Sequence, residues 1–87
     1  MNNLIFSPIA WDEYLSWQSQ DKKTLRRINL LLKDIIRSPF EGIGKPEPLK
    51  YRENSFSRRI DEKNRLVYSL GSDGDIMILS CKGHYED

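Results

Sequence analysis

The sequence is short of several things, and each scarcity removes a class of protein. Its 87 residues hold one cysteine, Cys81, so no disulfide can close within the chain and a reducing cytoplasm is the expected setting. One histidine, His84, beside that single thiol cannot assemble the roughly four nitrogen and sulfur ligands of a zinc centre. Unless carboxylates alone held an ion, no metal is expected, and no other cofactor. No apolar run approaches the ~20 residues that cross a bilayer, so no membrane partner is expected. The opening Met1-Asn2-Asn3-Leu4-Ile5-Phe6-Ser7-Pro8 has no basic residues ahead of a long apolar stretch, unlike a secretory leader. Net charge is only +1 and 38% of residues are hydrophobic, which argues against a disordered chain. The length suits one domain, residues 1–87, with a small core and correspondingly slim stability. Such a domain is expected to pair with a copy of itself or with a partner.

The near-zero total conceals segregation. Residues 1–20 carry −2, 21–37 carry +4, 38–44 carry −1, 45–65 carry +3 and 66–87 carry −3. Clustered cations attract polyanions whatever their sequence. The first basic block also fits the solvated face of a helix, and composition alone leaves both readings open.

The elements follow from punctuation and periodicity. A short strand is expected over Asn3–Phe6, then a helix opened by Ser7 as N-cap and Pro8 at its first position. Trp11, Tyr14, Leu15 and Gln18 share one stripe of that helix and are expected to face the core. A second helix is expected from about Asp21 to Arg37, with Leu25, Ile28, Leu31, Leu32, Ile35 and Ile36 forming a wide apolar stripe that Pro39 ends. The short break between the two predicts an antiparallel helical hairpin. From Phe40 to Leu49, glycines and prolines exclude a helix or a central strand. Strands are expected at Phe56–Asp61, Arg65–Leu70 and Ile76–Cys81, the last two joined by the turn Gly71-Ser72-Asp73-Gly74. The fold class is therefore α+β, in the order β-α-α-β-β-β, with a helical hairpin on one face of a small, mainly antiparallel sheet. Alternation sends Leu66, Tyr68, Leu70 and Ile60 towards the helices, and Arg59 and Arg65 to the open face.

Three places could carry chemistry. Glu47 stands between Pro46 and Pro48, a stiff setting that suits a general base; it could equally be a loop carboxylate paired with Lys45 or Lys50. Arg59 and Arg65, side by side on one face, would repel unless an anion such as phosphate lay between them, or unless Asp61, Glu62 or Glu53 neutralised them. His84 is the side chain that trades protons near neutrality, and Tyr85 beside it could stack on a base or help move a proton. Together they are the groups that metal-free RNA cleavage requires: a base for the 2′-hydroxyl, cations for the pentacoordinate phosphate, and an acid for the departing 5′-oxygen.

These residues lie in a wider pattern. Trp11-Asp12-Glu13-Tyr14-Leu15 with Trp17 comes first, then Lys33-Asp34, then Pro39-Phe40-Glu41-Gly42 with Gly44-Lys45-Pro46-Glu47-Pro48-Leu49-Lys50. Ser57-Arg58-Arg59-Ile60, Arg65-Leu66-Val67-Tyr68 and His84-Tyr85 complete it. The pattern spans nearly the whole chain and resembles the YoeB/Txe family of bacterial toxins within the RelE/ParE superfamily. The resemblance implies a RelE-like fold and a ribosome-dependent endoribonuclease that cuts message in the A site, leaving a 2′,3′-cyclic phosphate and a 5′-hydroxyl. It implies Glu47 as base, Arg65 as transition-state cation and His84 as acid assisted by Tyr85, with Lys45, Lys50 and Arg59 contacting RNA. It also implies as partners a YefM/Phd-type antitoxin, the 70S ribosome with its mRNA and a second toxin copy, with operator DNA reached only through the antitoxin. A ParE-like inhibitor of DNA gyrase shares the architecture without needing the three catalytic groups, and an inactive member would only bind antitoxin. The chain departs from the family pattern in three places: a loop from Tyr51 to Phe56 one residue shorter and lacking glycine, Gly83 before His-Tyr, and the terminal Glu86-Asp87.

Overall fold

The computed structural model describes residues 3–83, so His84 and Tyr85 lie outside the described residues, as do Glu86 and Asp87. The chain runs β1 (Leu4–Phe6), α1 (Pro8–Gln20), α2 (Lys22–Arg37), β2 (Glu47–Pro48), β3 (Ser55–Arg59), β4 (Arg65–Leu70) and β5 (Ile76–Ser80). One sheet holds all five strands in the order β1-β5-β4-β3-β2, with β1 parallel to β5 and every other neighbouring pair antiparallel.

The helix ends obey local chemistry. Ser7 Oγ accepts the Ala10 N–H at 3.0 Å, with Pro8 opening α1. Asp21 serves both helices: its N–H closes α1 on Trp17 O, and its carboxylate accepts from Lys23 N and Thr24 N to open α2. A single shared cap leaves no room for a loop, so the helices turn straight into a hairpin. Pro39 follows Ser38, the C-cap of α2.

The hairpin lies on one sheet face. Ile28, Leu31, Leu32 and Ile35 of α2 and Ala10 and Trp17 of α1 pack with Leu66, Tyr68, Ile76 and Ile78 of the sheet. Burying a large apolar side chain is worth about 1.5–3 kcal/mol, and this layer is the main term opposing chain entropy.

Two sequence expectations are corrected. The Trp11–Leu15 stripe is not the core face of α1: Trp11 is 47% and Leu15 41% exposed, Gln18 is exposed, and Tyr14 is only partly buried. The buried side chains are Ala10 and Trp17, a stripe of equal helical spacing turned away from the expected one. The choice is made by β5, whose end grips that side of α1. Trp17 Nε1 donates to Cys81 O at 2.9 Å, and Cys81 N donates to Glu13 Oε1 at 2.8 Å. Ile36, expected on the apolar stripe of α2, is 44% exposed. The expected fold class holds, with one further strand at the sheet edge. Glu47–Pro48 pairs antiparallel with β3, giving β-α-α-β-β-β-β; proline is tolerated because this is the sheet edge.

Candidate active site

Three neighbouring strands put the candidate residues on one surface. Glu47 of β2 is the register partner of Ser57 in β3, which faces Val67 in β4; two residues along, Arg59 faces Arg65. Alternation points all of these away from the helices. Arg59 is exposed, as expected, but Arg65 is not: its side chain is only 13% exposed. Its Nε donates to Ser57 Oγ at 3.1 Å. Its Nη2 lies 3.8 Å from Glu47 Oε2, an ion-pair separation but not a hydrogen bond, and that buried nitrogen has no hydrogen-bond partner among the described residues.

This arrangement bears on two readings that the sequence left open. Glu47 lies at ion-pair distance from Arg65, reached across the intervening β3, and its side chain remains 64% exposed. Asp61 is no counter-ion for the arginines, because its carboxylate is spent on the N–H groups of Lys63 and Asn64 and on the Asn64 amide. An open carboxylate therefore sits beside a guanidinium with an unspent donor. Such a pair can take a proton from a hydroxyl at the exposed carboxylate while the buried guanidinium lends positive charge beside it. Lys45 and Lys50, both exposed, flank the Glu47–Pro48 strand along the chain.

The residue that sequence reasoning missed is Arg58. It is fully buried on the helix side, where Nη1 donates to Asp34 Oδ2 at 2.6 Å and to Ile43 O at 3.2 Å. Nη2 donates to Ser38 O at 2.6 Å and Glu41 O at 3.1 Å, and Nε to Tyr68 Oη at 3.1 Å. Tyr68 Oη in turn donates to Pro39 O at 2.7 Å. Ile43 N donates to Asp34 Oδ2; that bond, with Arg58 next, holds the Asp34 carboxyl below its ordinary 3.8. Three of the five hydrogen bonds from this planar head thus fasten segment 38–43 directly, and the other two reach it through Asp34 and Tyr68. That segment leads to Gly44, whose carbonyl accepts the Arg59 N–H at 2.7 Å, and so delivers Glu47 to the sheet edge. Strand alternation was the available signal: Arg58 shares parity with Ile60, and an arginine turned inward must find partners.

The loop between β2 and β3 also has a local solution. Asn54 takes φ +54, a left-handed conformation that asparagine tolerates better than most residues, and its carbonyl accepts the Leu70 N–H at 2.8 Å. Phe56 packs between Phe40 and Tyr68, with ring centroids 5.5 and 5.8 Å away. At the other end of the sheet, Gly83 O accepts the Arg65 N–H at 2.9 Å, so the chain passes out of the described region beside Arg65. No described helix is long and apolar enough to cross a membrane, and no three described His, Cys, Asp or Glu residues are grouped to hold a metal ion.

Comparison with known proteins adds to this geometry. Residues 6–85 match the family described as YoeB-like toxin of bacterial type II toxin-antitoxin system. Toxin YoeB of Escherichia coli K12 is 52% identical over 83 residues, covering 94% of this chain and 98% of that protein. A YoeB/ParE toxin from Agrobacterium tumefaciens superposes with a TM-score of 0.91 at 39% identity, covering 95% of this chain and 99% of that one. YoeB of Staphylococcus aureus has been solved as a dimer, with a TM-score of 0.88 at 48% identity over 97% of this chain and 98% of that one. It has also been solved as a heterotetrameric complex with the antitoxin YefM, with a TM-score of 0.86 at 48% identity over 98% and 99%.

Proposed function

Because the chain belongs to the YoeB-like toxins of bacterial type II toxin–antitoxin systems, we propose that it acts as a metal-independent endoribonuclease on ribosome-bound message in the cytoplasm. The observation that carries the reading is the exposed Glu47 carboxylate 3.8 Å from an Arg65 nitrogen that spends no hydrogen bond within the described protein. Glu47 takes the 2′-hydroxyl proton. The freed 2′-oxygen attacks phosphorus, and Arg65 meets the charge that gathers on the phosphoryl oxygens. The bond from phosphorus to the 5′-oxygen then breaks, leaving a 2′,3′-cyclic phosphate, and His84 donates a proton to the departing oxygen with Tyr85 beside it. Arg59, Lys45 and Lys50 hold flanking phosphates. Each acid–base role is worth about 10²–10⁴-fold and the electrostatic role as much or more.

Two of the proposed partners have support in the solved Staphylococcus aureus relatives, the antitoxin and a second toxin copy. A YefM/Phd-type antitoxin is the neutralising protein, and operator DNA is reached through it. A second toxin copy is the partner that the solved dimer supports, and the 70S ribosome enters with the proposed cleavage of bound message.

Translation in vitro with purified protein tests the reading, with the 5′ ends of the message mapped. Cuts are expected on ribosome-bound RNA and not on free RNA, and both Glu47→Ala and His84→Gln should abolish them while circular dichroism stays unchanged. Undiminished cutting by both variants would overturn the roles. Intact message with accumulating DNA breaks in arrested cells would point instead to a gyrase inhibitor.

A further inference from the structure

The turn between β3 and β4 does more than reverse the chain. Asp61 Oδ1 accepts the N–H groups of Lys63 and Asn64 at 2.8 and 2.7 Å, and Asn64 O accepts the Ile60 N–H at 2.9 Å, which is sufficient to close the turn. The Asn64 side chain is not needed for that closure. Its Nδ2 is held by both Asp61 oxygens at 3.1 Å, which turns Oδ1 the other way, and Oδ1 accepts the Gly83 N–H at 2.8 Å. The next residue along β4, Arg65, donates its own N–H to Gly83 O at 2.9 Å. Gly83 is therefore gripped at both its amide and its carbonyl. It adopts φ +88, where a side chain is disfavoured although a Cβ would meet nothing within 4 Å.

Arg65 is the common reference. Its side chain faces Glu47, and its backbone receives the residue that precedes His84 in the sequence. We propose that Asn64 is a positioning residue for the general acid: oriented by Asp61, it clamps Gly83, the residue before His84 in the sequence, against β4 beside Arg65. This rests on His84 acting as the acid proposed above. The negative carboxylate behind the Asn64 amide polarises the amide and strengthens its grip on Gly83.

The test separates proton delivery from folding. In the ordinary reaction the 2′-oxygen–phosphorus bond forms, the bond from phosphorus to the 5′-oxygen breaks, and the leaving oxygen takes its proton from the acid. A message with sulfur in place of that 5′-bridging oxygen expels a thiolate, which is far less basic and needs no proton. Single-turnover cleavage of both messages on programmed ribosomes is compared for the wild type, Asn64→Ala, Gly83→Ala and His84→Gln. Asn64→Ala and Gly83→Ala are expected to slow cleavage of the ordinary linkage by about ten- to a hundredfold, the usual penalty for a misplaced group. On the sulfur linkage both should lie within about twofold of the wild type, as should His84→Gln. Equal losses on the two linkages for Asn64→Ala and Gly83→Ala, or no loss on either, would overturn the clamp while a rescued His84→Gln kept the acid assignment intact. An unrescued His84→Gln would overturn the acid assignment and the clamp with it.

Discussion

Arg65 shows how far one side chain's environment can specify its use. Ser57 Oγ takes Nε, burial removes water, and Nη2 is left facing a carboxylate too distant to bond it. A lysine at this position keeps the charge but loses the fork, so it cannot hold Ser57 and a phosphoryl oxygen together. Arg65→Lys is therefore expected to lower single-turnover cleavage by about 10²-fold or more, with far-ultraviolet ellipticity unchanged. Retention of more than a tenth of the rate would show that charge alone suffices. Glu47, Arg59 and Arg65 were readable from the chain because proline bracketing and strand alternation both act locally. Ser57 was not, since a serine on a strand has no distinguishing pattern until its neighbour's guanidinium is placed beside it. Cys81 carries a prediction of a different kind. Burial, with Glu13 nearby, pushes its thiol up to about 12, and Sγ lies 3.7 Å from Ala10 O. The thiolate is the reactive form, so alkylation at neutral pH should be negligible in the folded protein and complete only in denaturant. Mass spectrometry of iodoacetamide-treated protein reads this directly.

At the scale of elements, what could be read divides cleanly. Both helices, four of the five strands and the β4–β5 turn follow from caps, prolines and periodicity, and they match the fold to within two residues at each end. The inward face of α1 did not follow, because two stripes of that helix have helical spacing and only the end of β5 selects between them. Nor did segment 38–43, whose backbone is organised by a side chain distant in sequence, Arg58. Removing that head strands Asp34 and several carbonyls. Arg58→Met should cost about 3–5 kcal/mol in urea unfolding, the usual consequence of deleting one partner of a buried pair. Gly42 tests the same hub without touching a charge: at φ +133, a Cβ there would run into Asp34 Oδ2. Gly42→Ala should therefore lose roughly 2 kcal/mol or more, combining backbone strain with displacement of the carboxylate. A loss below about 0.5 kcal/mol would mean that segment 38–43 is held by something other than the Asp34–Arg58 contact.

For the whole molecule, the near-zero net charge hides a consistent use of carboxylates as structural acceptors. Asp21 is held low by the Thr24 hydroxyl and the Thr24 amide, and Asp34 by the Ile43 amide and then Arg58. Asp73 is held low first by the Asp75 amide. At Asp61 partial burial pushes upward, yet the hydrogen bonds from Asn64 and Lys63 outweigh it and the net displacement is again downward. All four therefore titrate below 3.8 in the folded chain, and the unfolded chain binds their protons first as pH falls. Their contribution is complete above about pH 5 and disappears as pH drops through 4 towards the folded values, with no matching loss on the alkaline side. Melting temperature should accordingly stay level from neutrality to about pH 5 and then fall steeply. The basic helix block adds to the fall, because protonating the acids leaves its repulsion unopposed. Asp34→Asn isolates the carboxylate that meets Arg58: it should lower the plateau and flatten the descent, since an amide cannot titrate and pairs poorly with Arg58. A variant whose melting curve against pH runs parallel to the wild type would show that Asp34 is not one of the groups through which acid unfolds the domain.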